Sequence, residues 1–268
     1  MAPIVKEMSL KEMTQSRKMN IGTVVVEFDT PGIGHILKSA GAEFVLVDME
    51  YSGFSYNSLK RLLCYLQAAD LPSIVRVPTS RFDHINRALD VGADGIMASP
   101  GTADECHAIV DAMKYAPHGS RNLAVGVALD RYAPQPVVKK MRAANAAIPF
   151  FALIESAEAV ENIEAIAAVK GVDCLWPGPN DLAYSLGVPG DFKSATYRQA
   201  ERKVVAAGLR HGKSLARIAG DARTAGNLYK QGYDILVYSG DVWLLQKAMH
   251  TGIDDLRAKC RGARRQGA

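Results

Sequence analysis

The sequence predicts a single α/β domain, residues 1–268, folded as a (β/α)₈ TIM barrel. Short apolar, β-branched runs alternate eight times with segments whose apolar residues recur at helical spacing. The apolar runs lack polar alternation, which is typical of parallel strands buried on both faces. The alternative, a doubly wound open sheet, would need a Gly-rich phosphate loop after an early strand, and the sequence contains none.

Each predicted element has a local signal. The predicted strands cover residues 21–28, 44–48, 73–77, 95–98, 150–154, 174–176, 214–218 and 235–238. The predicted helices cover residues 31–40, 55–69, 82–91, 103–115, 157–169, 180–186, 195–211, 222–231 and 241–259. Pro31 suits the start of the first of these helices, because its φ is fixed and it lacks an N–H donor. In the helix 55–69, the leucines fall on one face.

Three segments lie outside the regular alternation. Residues 1–18 are polar and Met-rich, and we expect a short helix that closes one end of the barrel. Residues 120–147 interrupt the rhythm, and we interpret them as an insertion near the mouth rather than a domain boundary. Residues 241–268 form a predicted helix followed by a basic tail.

Composition excludes several classes of protein. Hydrophobic residues make up 48% and charged residues 22%, as in ordinary globular proteins. The net charge of +4 is concentrated in the tail without aromatic interleaving, which argues against nucleic-acid binding. The four cysteines have no paired spacing, and no apolar run approaches the length of a membrane span or signal peptide. These features predict a reduced, cytoplasmic protein that binds neither nucleic acid nor membrane.

Two acids follow neighbouring strands of one strand–helix–strand unit. Glu155 comes directly after the strand 150–154, and Asp181 follows the strand 174–176. Parallel strands end on the same side of a sheet, so these carboxylates should meet at the mouth. Their convergence predicts a divalent cation with oxygen ligands. The structural alternative is that each acid only favours the first turn of the next helix.

Further charged residues fall at the ends of the second and third strands. Asp48 and Glu50 end one strand, and Arg76 lies near the end of the next. Carboxylates around an unpaired arginine suit a bound metal and an anionic, oxygen-rich substrate, because arginine grips a carboxylate through two hydrogen bonds. Arg76 could instead be only an ion-pair partner of Asp48 or Glu50. No histidine lies at these strand ends, which favours Mg²⁺ or Mn²⁺ over zinc.

Several short motifs occur in a specific order along the chain. They are Asp48-Met49-Glu50-Tyr51, Val75-Arg76-Val77-Pro78, Ala88-Leu89-Asp90-Val91-Gly92-Ala93, Lys114-Tyr115-Ala116-Pro117-His118-Gly119-Ser120-Arg121, Ile154-Glu155, Gly171-Val172-Asp173 and Gly178-Pro179-Asn180-Asp181-Leu182. Together they resemble the HpcH/HpaI aldolase family, the metal-dependent pyruvate aldolases, over about residues 20–250.

The resemblance implies a barrel that binds Mg²⁺, Mn²⁺ or Co²⁺ through Glu155 and Asp181. It implies that Arg76 stabilises a pyruvate enolate, with Glu50 and the turn at Gly178, Pro179 and Asn180 contributing to substrate binding. Such enzymes reversibly cleave 4-hydroxy-2-oxo acids to pyruvate and an aldehyde, and often decarboxylate oxaloacetate. The resemblance also implies a homo-oligomer, a hexamer in which the C-terminal helix crosses to a neighbour.

One position departs from the family pattern. Tyr51 stands where the family usually has a histidine, whereas Asp90, which matches the residue that orients this histidine, is present. A neutral tyrosine is a poor base at pH 7 but a fair proton donor. Three functions therefore stay open: an aldolase, an oxo-acid decarboxylase or other enolising enzyme, and a catalytically silent barrel that binds a metabolite.

Overall fold

The computed structural model describes residues 8–133 and 136–262. The strands are β1 (Asn20–Val25), β2 (Phe44–Asp48), β3 (Ser73–Arg76), β4 (Gly95–Ala98), β5 (Phe150–Ile154), β6 (Val172–Pro177), β7 (Ser214–Ala219) and β8 (Ile235–Gly240). They pair in sequence order, and β1 also pairs with β8, which closes the barrel. Every pairing is parallel. The prediction of a single α/β domain with a TIM barrel is confirmed.

Twelve α-helices occur in the described residues. They are α1 (Leu10–Ser16), α2 (Ile33–Ser39), α3 (Tyr56–Ala68), α4 (Phe82–Asp90), α5 (Ala103–Met113), α6 (Val137–Ala147), α7 (Ala157–Glu161), α8 (Ile163–Ala168), α9 (Pro179–Ser185), α10 (Ala195–Arg210), α11 (Ala222–Lys230) and α12 (Asp241–Gly262). A 3₁₀ turn covers Ala128–Asp130. No described helix is long and apolar enough to cross a membrane. The residues beyond 262, including most of the predicted basic tail, lie outside the described part.

Buried side chains form an inner and an outer core. The inner core fills the barrel with large residues such as Trp176, Phe151 and Met97, each at most 2% exposed. The outer core lies between the strands and the surrounding helices. Helix α1 contributes Leu10 and Met13 to the inner core, and Lys11 forms an ion pair of 2.5 Å with Asp173 of β6. Helix α1 therefore covers the amino-terminal end of the barrel.

The first strand is shorter than predicted. The sequence predicts a strand to residue 28, whereas β1 ends at Val25. The carboxylate of Asp241 accepts hydrogen bonds from the backbone N–H groups of Glu27 (3.0 Å) and Phe28 (2.9 Å), and also from that of Val26. Since these donors are occupied by a side chain, they cannot continue the ladder. The predicted helix 157–169 is also divided, at Asn162, into α7 and α8.

The segment 120–147 lies at the end of the barrel opposite the one we expected. It joins α5 to β5, so it runs beside the amino-terminal ends of the strands. Lys114 donates hydrogen bonds to the carbonyl oxygens of Asn145 and Ile148, which ties the segment to that end. The interpretation of an insertion near the mouth is therefore wrong, because an α-to-β connection in a parallel barrel lies away from the carboxyl ends of the strands.

Candidate active site

The carboxyl ends of β2 to β6 converge on one mouth, which carries most of the predicted site residues. A cavity of about 250 Å³ opens there. It is lined by Glu50, Arg76, Val77, Pro78, Thr79, Ser80, Ala98, Ser99 and Leu153. A larger cavity of about 820 Å³ lies at the opposite end, between α1, α6 and the barrel. Because barrel enzymes keep their chemistry at the carboxyl ends of the strands, we place the site at the smaller cavity.

Arg76 is held by two carboxylates. The register of β2 and β3 sets it beside Asp48, whose oxygens accept from Nε at 3.0 Å and from Nη2 at 2.5 Å. Its Nη1 lies 3.4 Å from Oε2 of Glu50. Burial alone would lower the pKa of Arg76, but the hydrogen bond and charge of Asp48 raise it above its ordinary value. Arg76 is therefore not the unpaired arginine of the sequence interpretation but a fixed, permanently charged group.

Asp48 organises the turn that carries Glu50 and Tyr51. It is 5% exposed, and its Oδ1 also accepts from the backbone N–H groups of Glu50 (2.8 Å) and Tyr51 (3.2 Å). A carboxylate with four hydrogen bonds fixes the donors around it, because each broken contact would leave a buried charge unsatisfied. Asp48 thus acts on the site through Arg76 and through this turn.

Tyr51 stacks on Arg76. The guanidinium carbon lies 4.6 Å from the centre of the tyrosine ring, within the range of a cation–π contact. The side chain lies at the surface of the mouth, since the residue is 67% exposed. Partial burial, followed by the charges of Glu50 and Asp181, raises the pKa of Tyr51 above its ordinary value of 10.0. The hydroxyl is consequently protonated at neutral pH.

Glu155 follows β5 and is half-buried. The hydroxyl of Ser99 donates a hydrogen bond to its Oε1. Burial raises the pKa of Glu155, and the charges of Glu50 and Asp181 raise it further, against the effect of the Ser99 hydrogen bond. A Cβ atom built on Gly178 would lie 3.1 Å from both Cβ and Oε2 of Glu155, so a larger residue there would press against this side chain.

Asp181 lies in the first turn of α9, directly after the end of β6. Its charge raises the pKa of Glu50, Tyr51 and Glu155, which places it in the same electrostatic environment. The mouth therefore holds the guanidinium of Arg76 and four carboxylates, those of Asp48, Glu50, Glu155 and Asp181. Such an acidic surplus suits a bound cation.

The donor set fits a hard divalent cation held by few protein ligands. No ion pair to Glu155 or Asp181 occurs within residues 8–133 and 136–262, although the charge of Arg76 acts on Glu155 from a greater distance. The same residues contain no cluster of three or more His, Cys, Asp or Glu side chains that could hold a metal without other ligands. Mg²⁺ commonly uses one or two carboxylates and completes its shell with water and substrate oxygens.

The structure does not bring Asp90 to the mouth of its own chain. Asp90 is the last residue of α4, at the opposite end of the barrel, and accepts a hydrogen bond of 3.3 Å from Arg121. The turn before Asp181 is also more restricted than expected. The N–H of Gly178 donates to the carbonyl of Ile154 (2.9 Å), and Pro179 has no N–H. Only the amides of Asn180 and Asp181 are left to contact a substrate carboxylate.

Sequence reasoning missed Ser99, which contacts Glu155 directly. The available signal was its position, because Ser99 comes immediately after the predicted strand 95–98, at the same edge as the acids. Serine is common in turns, and no pattern along the chain indicates that its hydroxyl reaches Glu155 at the end of the neighbouring strand.

A closed (β/α)₈ barrel with carboxylates and an arginine at the carboxyl mouth defines a class of barrel enzymes. Comparison with known proteins supplies the family. The chain belongs to the HpcH/HpaI aldolase/citrate lyase family, whose sequence model matches residues 26–248. It is accordingly a carbon–carbon lyase of the aldolase type.

Individual relatives support this assignment. The chain is 34% identical over 227 residues to a hydroxypyruvate/pyruvate aldolase of Paraburkholderia phytofirmans, covering 83% of this chain and 87% of the relative. It is 36% identical over 203 residues to a 4-hydroxy-2-oxovalerate aldolase of Novosphingobium aromaticivorans, covering 74% and 71%. The crystal structure of an HpcH/HpaI aldolase from Desulfitobacterium hafniense superposes with a TM-score of 0.88 at 30% identity, covering 93% and 97%.

Proposed function

We propose that this enzyme cleaves a small 4-hydroxy-2-oxo acid to pyruvate and an aldehyde through a pyruvate enolate, with a divalent cation. The observation that carries the proposal is the pairing of two kinds of group at one mouth. Glu155 and Asp181 form no ion pair in the described residues, and Asp48 fixes Arg76 near enough for its charge to act on Glu155. The names of the relatives, which are aldolases of 2-oxo acids, support the same substrate class.

Glu155 and Asp181 would hold Mg²⁺, Mn²⁺ or Co²⁺. When bound, the cation supplies a Lewis acid that polarises the keto group of the substrate. Ser99 orients Glu155 by its hydrogen bond to Oε1, which leaves Oε2 for other contacts. Gly178 keeps the space beside that oxygen open.

Arg76 would stabilise the negative charge that develops on the substrate during cleavage. Asp48 holds its Nε and Nη2, so the guanidinium does not have to be ordered when the substrate binds. The substrate carboxylate would contact Arg76, or the amides of Asn180 and Asp181. Glu50, whose pKa is raised by burial and by the charges of Asp48 and Asp181 against the effect of Arg76, borders the same cavity.

Tyr51 favours a second candidate reaction, the decarboxylation of oxaloacetate. Its protonated hydroxyl, which the charges of Glu50 and Asp181 influence, can give a proton to the enolate that decarboxylation leaves. Retro-aldol cleavage needs a base for the 4-hydroxyl group, and a neutral tyrosine does not serve as one at pH 7.

Product analysis tests the proposal. The enzyme should be freed of metal, reloaded with Mn²⁺ and incubated with 4-hydroxy-2-oxovalerate or oxaloacetate, with pyruvate followed by proton NMR. We expect the loaded enzyme to form pyruvate from both compounds faster than a solution of Mn²⁺ alone, in which oxaloacetate also decarboxylates, and faster than the metal-free enzyme. Pyruvate from oxaloacetate alone would support the second candidate. A failure to form pyruvate from either would contradict the proposal and favour a metabolite-binding barrel.

A further inference from the structure

A histidine lies beside the site and has no part in the chemistry described so far. His84 is in the first turn of α4, the helix that follows β3. Its Nδ1 lies 2.9 Å from the hydroxyl oxygen of Thr79. Thr79 in turn lines the 250 Å³ cavity together with Glu50, Arg76 and Ser99. A threonine hydroxyl therefore connects the imidazole of His84 to the wall of the candidate active site.

The tautomer of His84 decides whether the hydroxyl of Thr79 donates to Nδ1 or accepts from it. Its Nε2 lies 4.0 Å from Oδ2 of Asp83, which is beyond hydrogen-bond distance, and its ring centre is 6.4 Å from that of Tyr56. The hydrogen bond to Thr79 is thus the contact that orients the ring. If Nδ1 accepts from the threonine hydroxyl, the neutral imidazole carries its proton on Nε2, facing Asp83 and solvent.

The proposed cleavage requires a proton acceptor, and Thr79 and His84 together can supply one. The 4-hydroxyl of the substrate must lose a proton, and Tyr51 is protonated with a raised pKa. A neutral imidazole accepts a proton through its unprotonated ring nitrogen, which makes it the commonest general base of proteins. A hydroxyl that donates to a neutral imidazole becomes a better acceptor for a second proton.

We propose that Thr79 is a catalytic residue for aldol cleavage and that His84 is the residue that orients it and takes up the proton through it. This inference rests on the proposed aldolase function. The proton of the substrate 4-hydroxyl passes to Oγ1 of Thr79 as the proton of that hydroxyl passes to Nδ1 of His84. The C3–C4 bond breaks, its electron pair goes to C3 of the pyruvate enolate, and C4 becomes the aldehyde carbon. His84 then releases one proton to solvent, and C3 takes one up.

Kinetics of matched variants test the relay. Thr79→Val removes the hydroxyl and keeps the branched shape, Thr79→Ser restores a hydroxyl, and His84→Asn keeps a polar group near the Nδ1 position without its basicity. With Mn²⁺ and 4-hydroxy-2-oxovalerate, we expect Thr79→Val and His84→Asn to lose roughly a hundredfold in kcat/KM for cleavage. Thr79→Ser should keep activity within about tenfold of the wild type. The control His107→Asn replaces an exposed histidine of α5 and should cleave normally.

A second reaction separates failure of the relay from failure of the proposed function. Exchange of pyruvate methyl protons needs the enolate but no 4-hydroxyl, so Thr79→Val and His84→Asn should lose at least tenfold less in exchange than in cleavage. Equal loss of exchange and cleavage would show a structural role and overturn the relay. Unchanged cleavage in both variants would also overturn it while leaving the aldolase function intact. A wild-type enzyme that cleaves nothing would contradict both.

The tautomer of His84 gives a readout that does not depend on turnover. Nitrogen-15 NMR of the imidazole in the wild-type protein should show the proton on Nε2 and an unprotonated Nδ1 at pH 8. Thr79→Val should change the Nδ1 shift, because the donor to that nitrogen is removed. A proton on Nδ1 in the wild type would overturn the relay, since the threonine would then be the acceptor.

Discussion

At the scale of single residues, the site depends on how Asp48 holds Arg76. The carboxylate takes two hydrogen bonds from the guanidinium and two from the following backbone, while Tyr51 covers the guanidinium face. Arginine can make all these contacts at once because its donors lie in one plane and its faces are weakly hydrated. A lysine in the same place would be a flexible point charge.

Arg76→Lys should therefore lower kcat/KM by at least tenfold, equivalent to about 1.4 kcal/mol of transition-state stabilisation. Lysine keeps the positive charge but cannot make the two parallel hydrogen bonds that Nε and Nη2 of Arg76 donate to Asp48. Steady-state kinetics on the Mn²⁺-loaded enzyme check this, with Arg210→Lys as the control, because Arg210 ends α10 on the side of the barrel opposite the mouth and forms an exposed pair with Glu164. A lower Tm with unchanged kinetics would show that Arg76 is only a structural ion-pair partner.

Tyr51→Phe keeps the ring over Arg76 and removes only the hydroxyl. If the hydroxyl protonates the enolate, oxaloacetate decarboxylation should fall by about tenfold or more. Tyr229→Phe, at another exposed tyrosine, is the control. Unchanged turnover in Tyr51→Phe would show that the hydroxyl is not the proton donor and that the ring only lines the pocket. Tyr51→His would not by itself restore the histidine and its orienting aspartate, since Asp90 of the same chain is at the opposite end of the barrel.

Glu155 gives a pH-dependent prediction. Its pKa is raised in the folded protein, chiefly by burial, so its ionised form destabilises the metal-free fold. Protonated Glu155 contributes its full stability at pH values below the pKa that this carboxyl has in the unfolded chain. The contribution disappears as the pH rises through its higher pKa in the folded protein. Glu155→Gln should thus raise the Tm of the metal-free protein at pH 7 and have little effect at pH 4.

With Mn²⁺ at neutral pH, the wild type should become more stable than Glu155→Gln, the reverse of the order expected without metal. The cation should raise the Tm of the wild type, which binds it, and leave Glu155→Gln unchanged. Calorimetry with and without Mn²⁺ measures both effects, with the exposed Glu161→Gln of α7 as the control. Equal stabilisation of Glu155→Gln by Mn²⁺ would show that Glu155 is not a ligand.

At the scale of elements, the mouth is shaped by contacts that join distant parts of the chain. Asp241, at the start of α12, accepts hydrogen bonds from the backbone N–H groups of Val26, Glu27, Phe28 and Val242. It is 7% exposed. One side chain thereby ends β1 and fixes the loop that leads to α2.

Asp241→Asn should destabilise the protein by about 1–3 kcal/mol, because an amide cannot accept all of these hydrogen bonds. A fall in Tm of several degrees is expected for a chain of this length. Asp104→Asn is a matched control, since Asp104 also lies in the first turn of a helix but is exposed. If the two variants have the same Tm, the contribution of Asp241 is no more than that of charge near a helix terminus.

The elements differ in how far the sequence predicts them. Strands β2, β4 and β5 match their predicted bounds, because uninterrupted apolar runs are local signals of buried parallel strands. The end of β1 and the location of residues 120–147 depend on contacts with residues far along the chain. Glu155 and Asp181 could be found because strand ends share one edge, whereas the Arg76–Asp48 pairing and the Ser99 contact require register and rotamers that no periodicity encodes.

At the scale of the whole molecule, α12 carries more apolar surface than one chain covers. Trp243, Leu245, Met249, Ile253 and Leu256 are each between 38% and 65% exposed. Contiguous apolar surface of this kind usually marks an interface. We propose that α12 packs against another copy of the chain, consistent with the oligomer that the family resemblance implies.

Leu245→Glu combined with Met249→Glu should dissociate that oligomer. Each substitution would bury a charge against an apolar partner surface, which is unfavourable without an opposite charge. Light scattering after size exclusion at micromolar concentration measures the mass, with the exposed Leu209→Glu of α10 as the control. A wild-type particle of 28.9 kDa, the mass of one chain, would contradict the proposed interface.

The central claim is that Glu155, Asp181 and Arg76 together support a pyruvate enolate with a divalent cation. The most direct measurement is the exchange of pyruvate methyl protons in deuterated water, followed by proton NMR. It requires neither an aldehyde nor knowledge of the natural substrate. The account predicts exchange by the wild-type enzyme with Mn²⁺, none after the metal is removed, and none with Glu155→Gln under either condition. Exchange that persists in Glu155→Gln, or its absence in the Mn²⁺-loaded wild type, would contradict it.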